Sequence, residues 1–296
     1  MADLFRQLIL TSRPWSFTMT AISVSVGSAL AVPGGGFSWG LYALALLGSV
    51  LMHAATNLRN DYDDVTSGVD SPEVPTARYR PHPLMDGRLE PRQVRAAAYA
   101  LWALAAGIGL FLAATRGWTV LWIGLIGCAA GLLYTAAPLR YKYLALGEVS
   151  VFLMWGPLMV AGAYFVQRQR IDGGVLLVSV PFGVLVALVL LANNLRDAAF
   201  DGARGIRTLP TLLGPRRGLR LYLGLIVAAY AVAVGMSLLG PLPRWSLLVL
   251  LSTPMAAKLL RQMAREIPLD ADAQTARLDT VFGLLLVVSL ILGGLA

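Results

Sequence analysis

The chain has few cysteines, few histidines and few charged residues. Cys128 is its only cysteine, so no disulfide can form within the chain. Only two histidines are present, His53 and His82, which argues against a histidine-rich metal site. Charged residues make up 14% of the 296 residues, whereas a soluble domain carries about 25%. These shortages exclude a disulfide scaffold and a soluble globular domain.

Apolar residues dominate instead, at 57% of the chain with a mean hydropathy of +0.68. A membrane helix needs about 20 mostly apolar residues, and only helices satisfy their own backbone hydrogen bonds in lipid. We therefore predict one all-α integral-membrane domain, residues 1–296, with nine transmembrane helices around a central cavity. The predicted spans are 15–32, 38–58, 94–115, 117–137, 147–166, 174–194, 219–239, 244–262 and 277–295.

Basic residues are distributed unevenly between the two sets of loops. One set, which includes the N-terminus and every long polar loop, holds 20 of the 24 lysines and arginines. The positive-inside rule places that set in the cytoplasm, and we interpret the chain as a protein of a bacterial inner membrane. Because topology and anionic lipid headgroups account for the net charge of +8, no nucleic-acid partner is expected. Arg6 and Arg13, followed by an apolar run and residues 29–31, also fit a cleavable secretory signal.

Two short acidic segments stand where predicted apolar spans end. We call residues 57–64 with Asp70 the first acidic motif, and residues 193–201 the second acidic motif. Together they hold six of the 16 acidic residues of the chain. Clustered carboxylates beside a membrane core are costly unless a cation neutralises them. Since four spans separate the two motifs, both are expected on the same side of the membrane.

Within each motif, polar residues recur with helical spacing. Asn60 and Asp64 are four residues apart, as are Asn193, Asp197 and Asp201, so each set lies on one helix face. Carboxylate and amide oxygens suit Mg²⁺ rather than Zn²⁺. Protein-bound Mg²⁺ usually takes one or two carboxylates and fills its other positions with water and phosphate oxygens. The two rows therefore predict a clamp that holds a diphosphate through Mg²⁺.

Basic and aromatic side chains follow the motifs on the same side. Lys142 stands out because it ends a polar joint between two spans that begins at Tyr134. Cations of this kind can hold the outer oxygens of a diphosphate leaving group, and tyrosine faces can stabilise a developing carbocation. Lipid-headgroup contact and an interfacial aromatic belt are the alternatives. The basic candidates are Arg78, Arg80, Arg140, Lys142, Arg204 and Arg207.

Four stretches together are specific enough to indicate a family. They are Asn60-Asp61-Tyr62 through Asp64 to Gly68-Val69-Asp70, Leu146-Gly147-Glu148 with Phe152 and Gly156-Pro157, Asn193-Asn194-Leu195-Arg196-Asp197 through Asp201, and Gly205 with Arg207-Thr208-Leu209. Over nearly its whole length the chain resembles the UbiA superfamily of intramembrane aromatic prenyltransferases. Within it, the chain is most similar to the 1,4-dihydroxy-2-naphthoate polyprenyltransferases of menaquinone synthesis. Ile206 departs from the pattern, because many relatives have a lysine there.

The resemblance implies a reaction and a set of site residues. It implies Mg²⁺-dependent transfer of a polyprenyl group from an allylic polyprenyl diphosphate to an aromatic acceptor. The implied ligands of Mg²⁺ and diphosphate are Asn60, Asp64, Asn193, Asp197 and Asp201, with the metal itself on Asn60, Asp64, Asp197 and Asp201. Asp61 and Asp70 match further acidic positions, Lys142 matches a diphosphate-contacting lysine, and Arg80, Arg207 and Tyr134 complete the expected substrate contacts.

Other functions stay open at this point. A related prenyltransferase with another aromatic acceptor, such as 4-hydroxybenzoate, fits the same motifs. A membrane alcohol phosphotransferase also uses Mg²⁺ and clustered aspartates, but such enzymes place them in one continuous stretch. An ion-coupled transporter would usually place its ion-binding groups near the bilayer midplane, whereas both motifs here follow span ends.

Overall fold

The computed structural model describes residues 2–70, 75 and 79–295, and the regular structure of this part is helical. A single isolated bridge, between Leu144 and Arg207, is its only β-type pairing. The α-helices of the described part are α1 (Ala2–Thr11), α2 (Phe17–Ala29), α3 (Trp39–Thr66), α4 (Pro91–Arg116), α5 (Trp118–Leu133), α6 (Gly147–Leu153), α7 (Met159–Arg168), α8 (Gly173–Ala203), α9 (Leu209–Leu213), α10 (Pro215–Leu239), α11 (Thr253–Arg265) and α12 (Ala271–Leu295). The predicted all-α class is therefore confirmed.

Six helical segments are long and apolar enough to cross a membrane: α3, α4, α6 through α7, α8, α10 and α12. The other three predicted spans are also mainly helical but shorter or less regular. α2 has 13 residues and α5 has 16. The segment before α11 is a nine-residue 3₁₀ helix, Arg244–Ser252. An integral-membrane bundle follows from the six long segments, whereas nine crossings remain a prediction.

The helices that carry the acidic motifs extend beyond the predicted spans. α3 continues to Thr66 and α8 to Ala203, whereas the apolar stretches end near residues 58 and 194. Polar contacts stabilise the additional turns: in α3, Arg59 Nε donates to Asp63 Oδ2 at 2.9 Å, one helical turn away. Residues 57–64 of the first motif and the whole second motif therefore lie on regular helix, whereas Asp70 follows the end of α3. The four-residue spacing does place the helical side chains in rows.

The core of the bundle centres on α8, which packs against α6, α10 and α12, while α2 packs between α7 and α12 and α3 runs along α4. Its largest fully buried side chains include Phe182 and Leu185 of α8, Tyr222 of α10 and Phe282 of α12. By contrast, α5 contributes no buried residue. It lies at the edge of the bundle, and several of its residues line the cavity described below.

The segment between α6 and α7 departs from regular α-helix. Met154–Leu158 forms a π-helical turn that contains Pro157, and π turns widen a helix locally. Glycines let this turn approach α8 closely: a Cβ on Gly183 would lie 2.8 Å from Gly156 Cα. The backbone of the π turn is thereby fixed against the central helix.

Candidate active site

Both acidic motifs face one cavity of about 740 Å³, a volume within the usual range of small-molecule sites. Asn60 and Asp64 of α3 line it, as do Asn193, Asp197 and Asp201 of α8. The prediction that the two rows share a cavity agrees with this geometry. We call the end of the bundle where these rows lie the motif end.

The carboxylate of Asp64 is almost fully buried, with 1% of the residue exposed. It accepts a hydrogen bond from Lys142 Nζ at 2.6 Å and another from the Tyr143 hydroxyl. Lys142 Nζ also lies 3.3 Å from Asn60 Oδ1. In addition, the ammonium lies over the rings of Tyr143 and Tyr134, 5.4 Å and 5.8 Å from their centroids. Tyr134 therefore holds the lysine as well as lining the cavity.

Electrostatics keep Lys142 charged. Burial alone would lower the pKa of its ammonium, but the negative charge of Asp64 raises this pKa well above the ordinary lysine value. The side chain thus presents a permanent positive charge at the cavity wall. A cation in this position attracts a diphosphate.

Backbone pairing fixes the joint that carries Lys142. The N–H of Ala145 donates to the carbonyl of Arg207 at 2.9 Å, next to the bridge between Leu144 and Arg207. The joint after α5 is therefore attached to the loop that follows the second acidic motif. The side chain of Arg207, however, is exposed and is not part of the cavity lining. The predicted phosphate contact of Arg207 is therefore not found at the cavity. Only the backbone of Arg207 contributes, by pairing with Leu144 and Ala145.

In the second motif, an arginine forms an ion pair with the Asp197 carboxylate. Arg196 Nε and Nη2 donate to the two oxygens of Asp197 at 2.7 Å and 2.8 Å. Arg196 Nη2 also donates to Asn193 Oδ1 at 2.7 Å, and Asn193 Nδ2 donates to Asp197 Oδ2 at 3.2 Å. Asp201, one turn further along α8, lines the cavity with no hydrogen-bond partner for its carboxylate among the described residues.

A buried glutamate orients the neighbouring part of α8. Asn194 Nδ2 donates to Glu148 Oε1 at 2.8 Å, and the N–H of Leu209 lies 3.4 Å from the same oxygen. Glu148 lies in the first turn of α6, and Leu209 begins α9. The Glu148 carboxylate therefore links three helices around the second motif. This contact explains why Glu148 belongs to one of the four stretches that indicate the family.

A network of four residues closes the motif end on one side. Asp272, in the first turn of α12, accepts hydrogen bonds from the Tyr79 hydroxyl at 2.5 and 2.6 Å and from Arg196 Nη1 at 3.0 Å. Arg80 Nη1 lies 3.8 Å from the same carboxylate. The connection between α3 and α4 is thereby tied to α8 and α12 above the cavity. Tyr79, Arg80 and Asp272 all line the cavity.

The surroundings of Arg80 disfavour the positive charge of its guanidinium. Burial, followed by the charge of nearby Arg13, lowers the pKa of its guanidinium. Arg80 therefore lies in the same cavity lining as a second arginine, Arg13, which is itself paired with Asp61. An incoming anion would relieve this repulsion, which agrees with the predicted phosphate contact of Arg80.

The remaining predicted acids occupy different environments. Asp61 is 2% exposed, pairs with Arg13 and does not line the cavity. Asp70 does line it, and His82 Nε2 lies 3.5 Å from Asp70 and 3.6 Å from Asp61. Asp61 therefore acts on the site through Arg13 and His82, which line the cavity, whereas Asp70 faces the cavity directly. Arg78, another candidate cation, lies outside the described residues.

The donor set fits Mg²⁺ that is held together with a phosphate. In the described part of the chain, no three His, Cys, Asp or Glu side chains converge on a single metal position. Asp64 and Asp197 are instead buried carboxylates, each neutralised by one cation. Because Mg²⁺ needs only one or two protein carboxylates when phosphate oxygens complete its shell, two separated rows suit a metal that arrives with its diphosphate.

Sequence reasoning missed several residues of this site. Arg13 was considered only for topology and as part of a secretory signal, although its position beside the first span at the motif end was a usable indication of a site residue. Arg196 lies inside the second motif but was not assigned a role. Tyr79 and Asp272 carry no local signal, since their partner Arg196 is 117 and 76 positions away.

Comparison with known proteins agrees with this geometry. The model of the UbiA prenyltransferase family matches residues 20–291. This chain belongs to the UbiA prenyltransferase family. It is therefore a membrane-embedded enzyme that transfers alkyl groups, and membership gives no support to the transporter alternative.

Relatives within the UbiA family are similar over most of the chain. The 1,4-dihydroxy-2-naphthoate octaprenyltransferase of Bacillus subtilis is 29% identical over 95% of this chain and 91% of its own length. The enzyme of that name from Mycobacterium tuberculosis is 33% identical over 86% of this chain and 85% of its own. The structure of a UbiA homologue from Archaeoglobus fulgidus bound to DMAPP and Mg²⁺ aligns with a TM-score of 0.61 at 14% identity, covering 95% of this chain and 99% of the other. The last comparison establishes the fold.

Proposed function

We propose that this protein transfers a polyprenyl group from its allylic diphosphate to 1,4-dihydroxy-2-naphthoate in a Mg²⁺-dependent reaction. The observation that carries the proposal is the pair of Asn/Asp rows on one cavity, at Asn60 and Asp64 and at Asn193, Asp197 and Asp201. Two relatives named for this naphthoate transfer support the acceptor. A distant homologue bound to DMAPP and Mg²⁺ supports the donor and the metal.

Residues of both rows bind the diphosphate and its metal. Asn60, Asp64, Asp197 and Asp201 would hold Mg²⁺, which when bound supplies positive charge that stabilises the departing diphosphate. Lys142 is already fixed beside Asp64 at 2.6 Å. It contacts the outer phosphate oxygens from one wall, and Arg80 does so from the connection between α3 and α4.

The deeper part of the cavity accommodates the isoprenoid chain. Its walls there are apolar or small, with Ile108 and Leu112 from α4, Gly127 from α5, and Met159 and Val166 from α7. Each buried CH₂ contributes about 0.8 kcal/mol to binding. These walls also exclude water while the C–O bond breaks and the diphosphate leaves with the bonding electrons. The ring carbon then attacks the allylic cation, and a naphthoate acceptor loses its carboxylate as carbon dioxide.

The experiment supplies membranes that contain the protein with Mg²⁺, a radiolabelled polyprenyl diphosphate and a panel of aromatic acceptors. We expect label in a prenylated naphthoquinol and release of carbon dioxide when the acceptor is dihydroxynaphthoate. Label in a prenylated hydroxybenzoate instead would keep the enzyme class and replace the acceptor. Absence of transfer to every acceptor would refute the proposal. Because the positive-inside rule places the motif end in the cytoplasm, inside-out bacterial vesicles should react with added diphosphate and right-side-out vesicles should not.

A further inference from the structure

One face of α3 carries more polar residues into the cavity than the diphosphate requires. His53, Asn57, Asn60 and Asp64 follow one another at intervals of four, three and four residues, and all four line the cavity. Asn60 and Asp64 belong to the first acidic row. Asn57 and His53 lie deeper, about 4.5 Å and 10 Å along the helix axis from Asn60.

The side-chain amide of Asn57 has a fixed orientation. Its Nδ2 donates to the backbone carbonyl of Ser12 at 2.9 Å and to Ser16 Oγ at 3.3 Å. A carbonyl oxygen only accepts hydrogen bonds, so the atom that faces it must be the NH₂ group. Oδ1 is therefore the free end of the amide, and among the described residues it has no hydrogen-bond partner. The cavity wall thus presents a bare acceptor just below the diphosphate clamp.

Both ring nitrogens of His53 form hydrogen bonds with hydroxyl groups. Nδ1 lies 2.8 Å from Thr20 Oγ1, and Nε2 lies 3.3 Å from Ser16 Oγ. The hydroxyl of Ser16 donates to the carbonyl of Arg13 at 2.7 Å, so Ser16 Oγ accepts from His53 Nε2–H. Trp155 Nε1 donates to Thr20 Oγ1 at 3.0 Å, which leaves the hydroxyl hydrogen of Thr20 for His53 Nδ1. His53 is thus a positioning residue with a defined tautomer.

This chain of hydrogen bonds holds an indole against the cavity. Trp155 lies in the π turn, where Met159 N–H bonds to the carbonyls of Met154 and Gly156. The carbonyl of Trp155 accepts a hydrogen bond from Ser23 Oγ at 2.7 Å. The Trp155 indole packs edge-to-face on the His53 ring, with centroids 4.9 Å apart, and Trp155 lines the cavity. The result is an aromatic wall against His53, one turn of α3 from Asn57.

We propose that Asn57 Oδ1 and the Trp155 indole form the subsite for the acceptor ring, and that the acceptor is a hydroxyarene whose ring hydroxyl donates to Asn57. The assignment rests on the proposed function. An isoprenoid chain has no hydrogen-bond donor, so it would leave Asn57 Oδ1 unpaired in a water-poor cavity, whereas a ring hydroxyl satisfies it. The layer directly below the diphosphate is also where a ring carbon must lie to attack the first carbon of the prenyl group.

The test is a thermodynamic cycle in which a substitution in the protein is combined with the removal of one hydroxyl from the acceptor. Purified protein receives Mg²⁺, farnesyl diphosphate and naphthalene acceptors that carry or lack each ring hydroxyl, and kcat/KM is measured for each. The intrinsic reactivity of each acceptor is the same for all variants and cancels in the cycle. The wild type should prefer the hydroxylated acceptor, and in Asn57→Ala and Asn57→Leu that preference should fall by about tenfold or more for one hydroxyl. Binding of farnesyl diphosphate with Mg²⁺ should stay unchanged.

Thr56→Val is the matched control. Thr56 neighbours Asn57 and lines the cavity, but its hydroxyl donates to the carbonyl of Met52 within α3 at 2.9 Å. This variant should keep the full preference for the hydroxyl.

Each outcome supports or overturns the assignment. Asn57 variants that transfer the prenyl group with undiminished preference for every hydroxyl would overturn the subsite while leaving the proposed function intact. A wild type that binds no farnesyl diphosphate with Mg²⁺ and prenylates no acceptor would refute the proposed function itself. If the Asn57 variants do not fold, methylation of each ring hydroxyl is tested on the wild type. One methyl ether should then weaken acceptor binding by about tenfold or more, and equal binding of all methyl ethers would overturn the assignment.

Discussion

Asp64→Asn should make Lys142 reactive toward amine reagents. The two side chains lie 2.6 Å apart, and the charge of Asp64 is the strongest influence that opposes the effect of burial on the pKa of the lysine. Without that charge, burial is opposed more weakly and the pKa of Lys142 falls. An opposite charge at such a distance shifts a pKa by about 1–3 units, and each unit changes the neutral amine fraction about tenfold. We therefore expect labelling of Lys142 to be about 10- to 1,000-fold faster in the variant.

The chain contains its own reference for this measurement. Its only other lysine is Lys258, which is exposed on α11. A short pulse of acylating reagent at mildly alkaline pH, with a chelator present, gives the Lys142 to Lys258 ratio by peptide mass spectrometry. Asp63→Asn is the matched control, since Asp63 bonds to Arg59 and Thr135 rather than to the lysine. Equal labelling of both lysines in the wild type, or an unchanged ratio in Asp64→Asn, would refute the described ion pair.

Three further predictions concern the site and the fold. Asp64→Ala and Asp197→Ala should each reduce prenyl transfer by about 100-fold or more while the protein still inserts, and Asp86→Ala, at an exposed position, should retain activity in the same radiolabel assay. Chelation of divalent ions should abolish transfer, and Mg²⁺ should restore it better than Ca²⁺, which takes more ligands at longer distances. Gly183→Ala should lower the free energy of unfolding by about 1–3 kcal/mol, because its Cβ would lie 2.8 Å from Gly156 Cα. Gly235→Ala, with no atom within 4 Å of its added Cβ, should show no such loss in thermal unfolding, and equal behaviour of the two glycine variants would contradict the close packing.

The sequence predicted those features that local spacing determines. Four-residue spacing placed Asn60 with Asp64 and Asn193 with Asp197, because both motifs are helical. Hydropathy located the apolar segments, but it underestimated the lengths of α3 and α8. The final turns of these helices are polar and are stabilised by side-chain contacts rather than by lipid. Hydropathy also could not detect the π turn at residues 154–158, which depends on how closely glycines on two helices approach.

Long-range partners could not be predicted in this way. Asp272 stabilises Arg196 from a helix 76 positions away, and no motif surrounds it. The free oxygen of Asn57 becomes visible only when Ser12 and Ser16 are seen to occupy its NH₂ group. Arg207 shows the opposite error: its position after the second motif indicated a phosphate contact, but the bridge to Leu144 uses its backbone and leaves the side chain exposed.

The central claim is that both rows together bind a divalent ion through a diphosphate. Binding of Mn²⁺ in place of Mg²⁺, followed by electron paramagnetic resonance on the purified protein, tests it most directly. We predict tight Mn²⁺ binding only when a non-reactive prenyl thiodiphosphate is present, and loss of that binding in Asp64→Ala and in Asp197→Ala alike. Tight Mn²⁺ binding without the diphosphate analogue, or binding that survives removal of either carboxylate, would contradict the account.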